Sequence, residues 1–314
     1  MAIVEDGPFH LGELLAQARA GTGSPGAGGI RPFLPDQHRA FFALLPYLFI
    51  ATVDAEGWPV ATVLTGAPGF VQSPDANTLT VAALPRAGEP GAELFMAGRP
   101  FGALGLDFAT RRRNRANGRI AAAGEGGLTL DVLQSFGNCP QYIQTRAVTP
   151  GPASTLLAET IAFPTAEALA QIARADTMFV ATNAGRQDGA AQNGGVDISH
   201  RGGLPGFVKV TGDVLTIPDF RGNRFFNTLG NLVLDPRAAL LFVDFETGDL
   251  LHLQGRAEID WSPTGDDLIQ RRWRLTVERA WRRPAALPLR WTFGDYSPVT
   301  LSTAAWNAAP ALVA

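Results

Sequence analysis

Two stretches hold most of the residues that could do chemistry: Asp197-Ile-Ser-His-Arg-Gly-Gly203 and Asp219-Phe-Arg-Gly-Asn-Arg-Phe-Phe-Asn-Thr228. They combine arginines, hydroxyls, amides and glycines, the set of groups that holds an oxyanion. Guanidinium forks match phosphate oxygens in shape and charge, while hydroxyls and amides fix orientation. Behind the second stretch, Phe225, Leu229, Leu232 and Val233 recur at three- and four-residue steps and Pro236 follows, which predicts a helix with Asn223 as its cap. The start of that helix would point unpaired N–H groups at whatever Arg221 and Arg224 attract, so a phosphate there would be stabilised twice.

The elements that must position these residues read as β-structure. Val208–Val210 and Val214–Ile217 flank Thr211-Gly-Asp213, and Ala238–Phe245 and Leu250–Ile259 flank Glu246-Thr-Gly-Asp249, which predicts two hairpins around the polar segment. Earlier in the chain, Phe9–Ala20 and Asp36–Leu45 read as helices, Leu48–Val53 and Pro59–Leu64 as strands. Helix-then-strand order recurs at Thr165–Ala173 and Met178–Thr182. Asp266–Trp281, with Leu268, Trp273, Leu275 and Val277 among arginines, reads as a closing helix, and Trp291–Ala314 as a docked arm. The spaced glycines of Gly21-Thr-Gly-Ser-Pro-Gly26 follow a helix instead of a strand, so they do not form a dinucleotide fingerprint.

An internal correspondence organises the whole chain. Gly69-Phe-Val matches Gly206-Phe-Val, Leu104–Phe108 matches Leu241–Phe245, and Gly118-Arg119 matches Gly255-Arg256, all at an offset of about 137 residues. This predicts a mainly β chain with flanking helices, built as two tandem antiparallel barrels. The expected division is a helical arm over 1–45, a first barrel over 46–148, linker and helix over 149–173, a second barrel over 174–300 and a tail over 301–314. At the same offset Arg201 stands opposite Leu64, Arg221 opposite Leu84, Arg224 opposite Ala87 and Thr228 opposite Gly91. Only the second copy is therefore expected to hold an anion.

With 314 residues, 46% hydrophobic and 18% charged, the chain has the composition of a globular protein of two ordinary domains. A formal charge of −3 argues against non-specific nucleic-acid binding, and no stretch approaches the length of a membrane span. The first residues lack a basic, apolar leader, so a cytoplasmic location is expected. Cys139 is the single cysteine; an intrachain disulfide and zinc or iron–sulfur ligation by cysteines are excluded, and the residue is expected to be small, buried and inert. No His/Asp/Glu spacing suggests a metal site. His200 alternates with Ser199 and Arg201, so it is expected to face the other side of its strand in a structural role. Arg111-Arg-Arg-Asn-Arg115, before Ala116-Asn-Gly118, reads as a solvated hairpin tip, with Arg111, Arg112 and Arg113 as a second anion site in the rival reading.

Taken together, Asp197-Ile-Ser-His-Arg-Gly-Gly, Leu204-Pro-Gly-Phe-Val, Leu215-Thr-Ile-Pro-Asp, Arg221-Gly-Asn-Arg, Asn231-Leu-Val-Leu-Asp-Pro-Arg and Leu240-Leu-Phe-Val-Asp resemble the pyridoxamine-phosphate-oxidase-like flavoproteins. The likeness covers residues 175–262 and, in degenerate form, 46–146. It implies the FMN-binding split barrel, with the FMN phosphate gripped at a strand end and the following helix start. Carried over, the grip is Ser199, Arg201 and Gly202 on the first element, and Arg221, Asn223, Arg224, Asn227 and Thr228 on the second. The oxidase itself has a lysine where Arg201 stands and an Arg-Lys pair near Asn227-Thr228, so pyridoxamine phosphate is not the implied substrate.

Sites of that family form between two barrels. Here the first barrel is expected to supply the facing wall, with Ser135–Gln144, and above all Gln141 and Tyr142, as the candidate segment. The chain also resembles the front module of longer proteins that continue into flavin-reductase and ferredoxin domains, which implies a separate electron donor or a diffusing nicotinamide acting with a small-molecule substrate. A homodimer is left open. The expected activity is hydride or electron transfer through FMN; the alternative of another class is a split-barrel protein that binds a ligand or partner without turnover.

Overall fold

The computed structural model describes residues 7–23, 25–26, 29–185 and 195–303. Residues 1–6 of the expected arm, 304–314 of the expected tail and Ser24 of the Gly21–Gly26 stretch lie outside the described residues.

Two helices, α1 (Leu11–Arg19) and α2 (Asp36–Ala43), precede seven strands: β1 (Tyr47–Val53), β2 (Pro59–Thr65), β3 (Val71–Gln72), β4 (Thr78–Val81), β5 (Pro100–Asp107), β6 (Arg112–Gly124) and β7 (Gly127–Gly137). Short strands β8 (Arg146–Pro150) and β9 (Glu159–Thr160) and helix α3 (Ala166–Arg174) lead to β10 (Thr177–Asn183), β11 (Val196–Gly202), β12 (Lys209–Thr211) and β13 (Val214–Phe220). Helix α4 (Asn227–Leu234), β14 (Arg237–Val243), β15 (Leu250–Asp260), β16 (Ile269–Arg283), β17 (Leu289–Phe293) and α5 (Pro298–Leu301) follow. The chain is mainly β, in three antiparallel sheets.

The first sheet runs β2-β1-β5-β6-β7-β4-β3 and the second β11-β10-β14-β15-β16-β13-β12. Substituting each strand of the first by its counterpart in the second leaves the order unchanged. Gly118 and Gly255, matched in the sequence, sit at equivalent β-bulges between β6 and β7 and between β15 and β16. A Cβ on either would lie about 2 Å from a carbonyl across the ladder, 1.9 Å from that of Asp131 and 2.0 Å from that of Thr276. No side chain fits there, which is why the glycine occurs in both sheets.

Apolar burial falls into three cores. Phe42, Leu48, Ile50, Leu79 and Phe101 fill the first barrel; Val180, Leu215, Leu240 and Trp273 fill the second. The third core lies between them, where Phe49, Leu104 and Phe108 meet Phe179, Leu241 and Phe245. Contacts across it join equivalent positions: Phe49 stacks on Phe179 at 3.7 Å between centroids, and Phe108 meets Phe245 edge-on at 5.2 Å. The halves thus pack like an isologous pair held in one chain.

Three expectations change. Asp266–Trp281 is not a helix: β16 pairs with both β13 and β15. Ile269, Arg271, Trp273 and Leu275 point inward with period two, and the bulge opposite Gly255 then shifts the phase, which hides the alternation. Arg112–Arg115 and Ala116-Asn-Gly118 form no hairpin tip and turn; they lie within β6, whose turn to β7 comes at Glu125-Gly126. The stretch 149–165 is tied into sheet by β8, paired with β17, and by β9, paired with β16. Among the described residues no helix is long and apolar enough to cross a membrane.

Candidate functional site

A crevice with about 1000 Å³ of atom-free space, part of it open to solvent, opens where β6 and the segment after β7 face β11, β13 and the start of α4. Ser199, Arg201, Gly202, Arg221, Asn223, Arg224, Asn227 and Thr228 all line it, and so do Gln141, Tyr142 and Arg113. Arg111 and Arg112 do not. The Arg111 side chain donates to the carbonyls of Ile143, Asp295 and Tyr296, and Arg112 lies over the ring of Phe41.

Six arginines line the crevice: Arg113, Arg115, Arg201, Arg221, Arg224 and Arg271, against the single carboxylate of Asp219. Arg115 reaches across from the first barrel, donating to both oxygens of Asp197 at 2.8 and 2.9 Å and to Ser199 Oγ at 2.6 Å. Arg201 on β11 binds Asp219 on β13 at 2.6 Å, and Arg271 on β16 faces the other oxygen at 3.5 Å. Arg221 and Arg224 are exposed at the rim and form no ion pair among the described residues. Burial lowers the affinity of Arg113 for its proton, to a pKa of about 9, with Arg115 and Arg201 adding like-charge repulsion.

The backbone reinforces this positive field. Helix α4 begins at Asn227, and no side chain caps it. Its N-cap is Phe226, in the left-handed region at φ 64°; Asn223 instead accepts from the Phe225 N–H at 3.1 Å, closing a tight turn three residues before the cap position. Tyr142, Arg224 and Phe226 are three of the five non-glycine residues at positive φ among the described residues, and all three line the crevice. Strained backbone gathered at one place is typical of a site held ready for a ligand. The free N–H groups of the first α4 turn are donors ready for an anion.

Not every expected ligand is free to bind one. The hydroxyls of Ser199 and Thr228 bond each other at 2.8 Å, and Ser199 also reaches Asp197 at 3.1 Å. Asn227 donates to Glu13 of α1 and accepts from Arg115 at 3.4 Å. These three residues build the wall behind the cations. The glycine at 202 is needed for another reason, because a Cβ there would lie 2.0 Å from the Tyr142 carbonyl. That contact brings the segment after β7 against β11. Tyr142 then stacks on Phe220 at 5.0 Å and donates its hydroxyl to the Arg221 carbonyl at 3.0 Å, so that two largely buried rings form part of the lining.

Helix α1 completes the support. His10 caps it and bonds Asn231 of α4 at 2.8 Å, while Glu13 accepts from His10 N–H at 2.9 Å. Burial pushes the Glu13 carboxyl up to about 8 and the His10 imidazole down to about 4. His200 points away from Ser199, edge-on to Phe179, but it also borders the crevice, so its role is not confined to the core. Cys139 is exposed at the crevice, not buried, because it lies in the irregular segment between β7 and Pro140. Arg115 and Arg271 were not anticipated. Period-two spacing from Arg113 would have found the first; the second sat in the stretch misread as helix.

No family model matches the sequence, and no curated protein matches it. Among solved structures, a tagged variant of HupZ from Group A Streptococcus is similar at 16% identity and TM-score 0.30, covering 38% of this chain and 98% of that one. An FAD-binding protein from Mesorhizobium loti is similar at 12% identity and TM-score 0.28, covering 42% and 100%. A protein of the pyridoxinephosphate oxidase family related to general stress protein 26, from Clostridium acetobutylicum, is similar at 17% identity and TM-score 0.28, covering 41% and 92%.

Proposed function

We propose that the crevice binds a flavin, FMN, and that the protein is an FMN-dependent oxidoreductase. The observation that carries this reading is the pair of rim arginines, Arg221 and Arg224, without an ion-pair partner among the described residues, beside an uncapped helix start. Within the crevice Arg221, Arg224 and the first N–H groups of α4 would take a phosphate, which carries about −1.5 to −2 charges. The Tyr142–Phe220 stack forms part of the lining against which a planar ring would pack. When bound, FMN would accept a hydride and pass electrons on, chemistry that needs no acid–base side chain from the protein. The chain's own part is to anchor the phosphate, orient the ring and exclude water, with the first barrel as the facing wall. The electron donor is then a small molecule such as a nicotinamide.

Titrating the protein with FMN and with riboflavin, followed by flavin fluorescence and visible absorption, tests this. FMN is expected to bind about 100-fold more tightly than riboflavin, the effect of roughly 2.7 kcal/mol from the phosphate contacts. Equal affinities, or no spectral change with either, would overturn the assignment. Oxidation of reduced nicotinamides by the loaded protein then separates an enzyme from a binding protein.

A further inference from the structure

The phosphate grip leaves one cation unexplained. Of the four arginines set within the crevice, Arg115 has Asp197, and Arg201 and Arg271 share Asp219. Arg113 faces no carboxylate among the described residues. Its hydrogen bonds are long ones to His200, 3.4 Å to Nδ1 and 3.5 Å to the carbonyl, and its Nε–H is buried without an acceptor. Arg113 is half-buried at the crevice, and a cation partly withdrawn from water without a counter-charge is favoured when something else supplies the charge.

The neighbour does not supply it. Burial, and then the charges of Arg113, Arg146, Arg201 and Arg115, hold the His200 imidazole well below its ordinary pKa, so it is neutral. Since arginine can only donate, Nδ1 must accept, which puts the ring proton on Nε2. That Nε2 is also buried without a partner. Two donors of one wall, from opposite barrels, thus lack an acceptor. We propose that Arg113 and His200 form a second oxyanion subsite, separate from the phosphate grip at α4, which takes the carboxylate or phosphate of an acidic second ligand. The proposal rests on the flavin reading only for the identity of the first ligand.

The test uses Arg113→Gln beside the wild type, with succinate and inorganic phosphate as probes. In FMN-loaded wild type, calorimetry and the flavin absorption band should register binding of at least one probe. Arg113→Gln should weaken that binding by about tenfold or more while leaving the FMN dissociation constant within about twofold. A succinate response points to a carboxylate ligand, and a response to phosphate alone to a phosphorylated one; either supports the subsite. The variant should melt no lower than the wild type, because it removes a half-buried cation that no carboxylate among the described residues offsets, and a folded, unshifted variant validates the comparison. Loss of FMN affinity with riboflavin binding unchanged would overturn the proposal by assigning Arg113 to the cofactor's phosphate. So would failure of both probes to bind the wild type. Should the protein bind no flavin at all, the same titration on the free protein still decides: probe binding lost in Arg113→Gln and kept in Arg224→Ala supports the subsite, and any other pattern sinks it.

Discussion

The crevice of the second barrel and the matching place in the first differ in how many cations stand beside one carboxylate. Thr62 on β2 pairs with Ile50, as Ser199 on β11 pairs with Val180, so the two hydroxyls occupy equivalent positions. Ser199 bonds Thr228 at the start of α4 and the buried carboxylate of Asp197, which Arg115 holds from the first barrel. Thr62 likewise donates to the buried carboxylate of Glu89 at 2.5 Å, and Glu89 is also bound by Arg283 from the second barrel. Where α4 stands in the second barrel, the first has a single 3-10 turn at Ala92–Leu94, and Leu157 packs against Gly88. Each barrel thus sets one carboxylate between a hydroxyl and an arginine of the other half, and only the second adds a helix start and further arginines around it. One topology therefore supports both a closed and an open version, and the open one is a feature that folding does not require.

The largest expected effect comes from removing the internal anion. Glu89→Ala leaves Arg283 buried and unpaired, which should lower stability by about 3–5 kcal/mol in denaturant unfolding. Added phosphate should restore part of it if the place is a true counterpart of the crevice. An unchanged midpoint would show that the two regions are not equivalent.

Arg201→Ala with Arg224→Ala should weaken FMN by about 10- to 100-fold, or ~1.4–2.8 kcal/mol, in a fluorescence titration. Leu64→Ala with Ala87→Gly, the same positions in the first barrel, should leave FMN affinity unchanged. Retention of full affinity in the arginine pair would remove the contrast.

Gly12 carries a smaller expectation. A Cβ there would sit 2.2 Å from the Gly230 carbonyl, so Gly12→Ala should cost about 1–3 kcal/mol by lifting α1 from α4. Thermal melting reads the loss; an unchanged melt would mean that α1 can shift without penalty.

Smallest is a pH effect. Glu13, with its folded pKa pushed up to about 8, holds a proton that the unfolded chain gives up at about pH 4.3. Its contribution is fully present below that value and declines as pH rises to about 8. His10, pushed down to about 4, acts in the opposite sense below its ordinary value of 6.5, so the net decline should emerge between about pH 6.5 and about pH 8. Glu13→Gln should flatten the slope there; an identical pH profile would show that Glu13 is ionised in the folded protein.

The mainly β character and most strand positions were legible because paired β-branched runs and turn residues are local signals. The crevice lining was legible for a different reason: Ser199 through Thr228 carry polar types that a barrel does not need. What escaped depends on distant partners. Arg115 becomes a site residue only because β6 crosses to β11, and Asn223 misses the helix cap because Phe226 adopts a left-handed backbone that no sequence rule anticipates. The strand β16 was hidden by its bulge, whose phase shift mimics helical spacing. Cys139 was misplaced because burial follows residue type only inside regular elements.

The stack of Phe49 on Phe179 has an evolutionary implication. In an assembly of two identical chains, any mutation on the symmetry axis appears twice and confronts itself. Here each ring is encoded separately, so either side can change while its counterpart stays fixed. That independence lets one mouth shut and the other specialise.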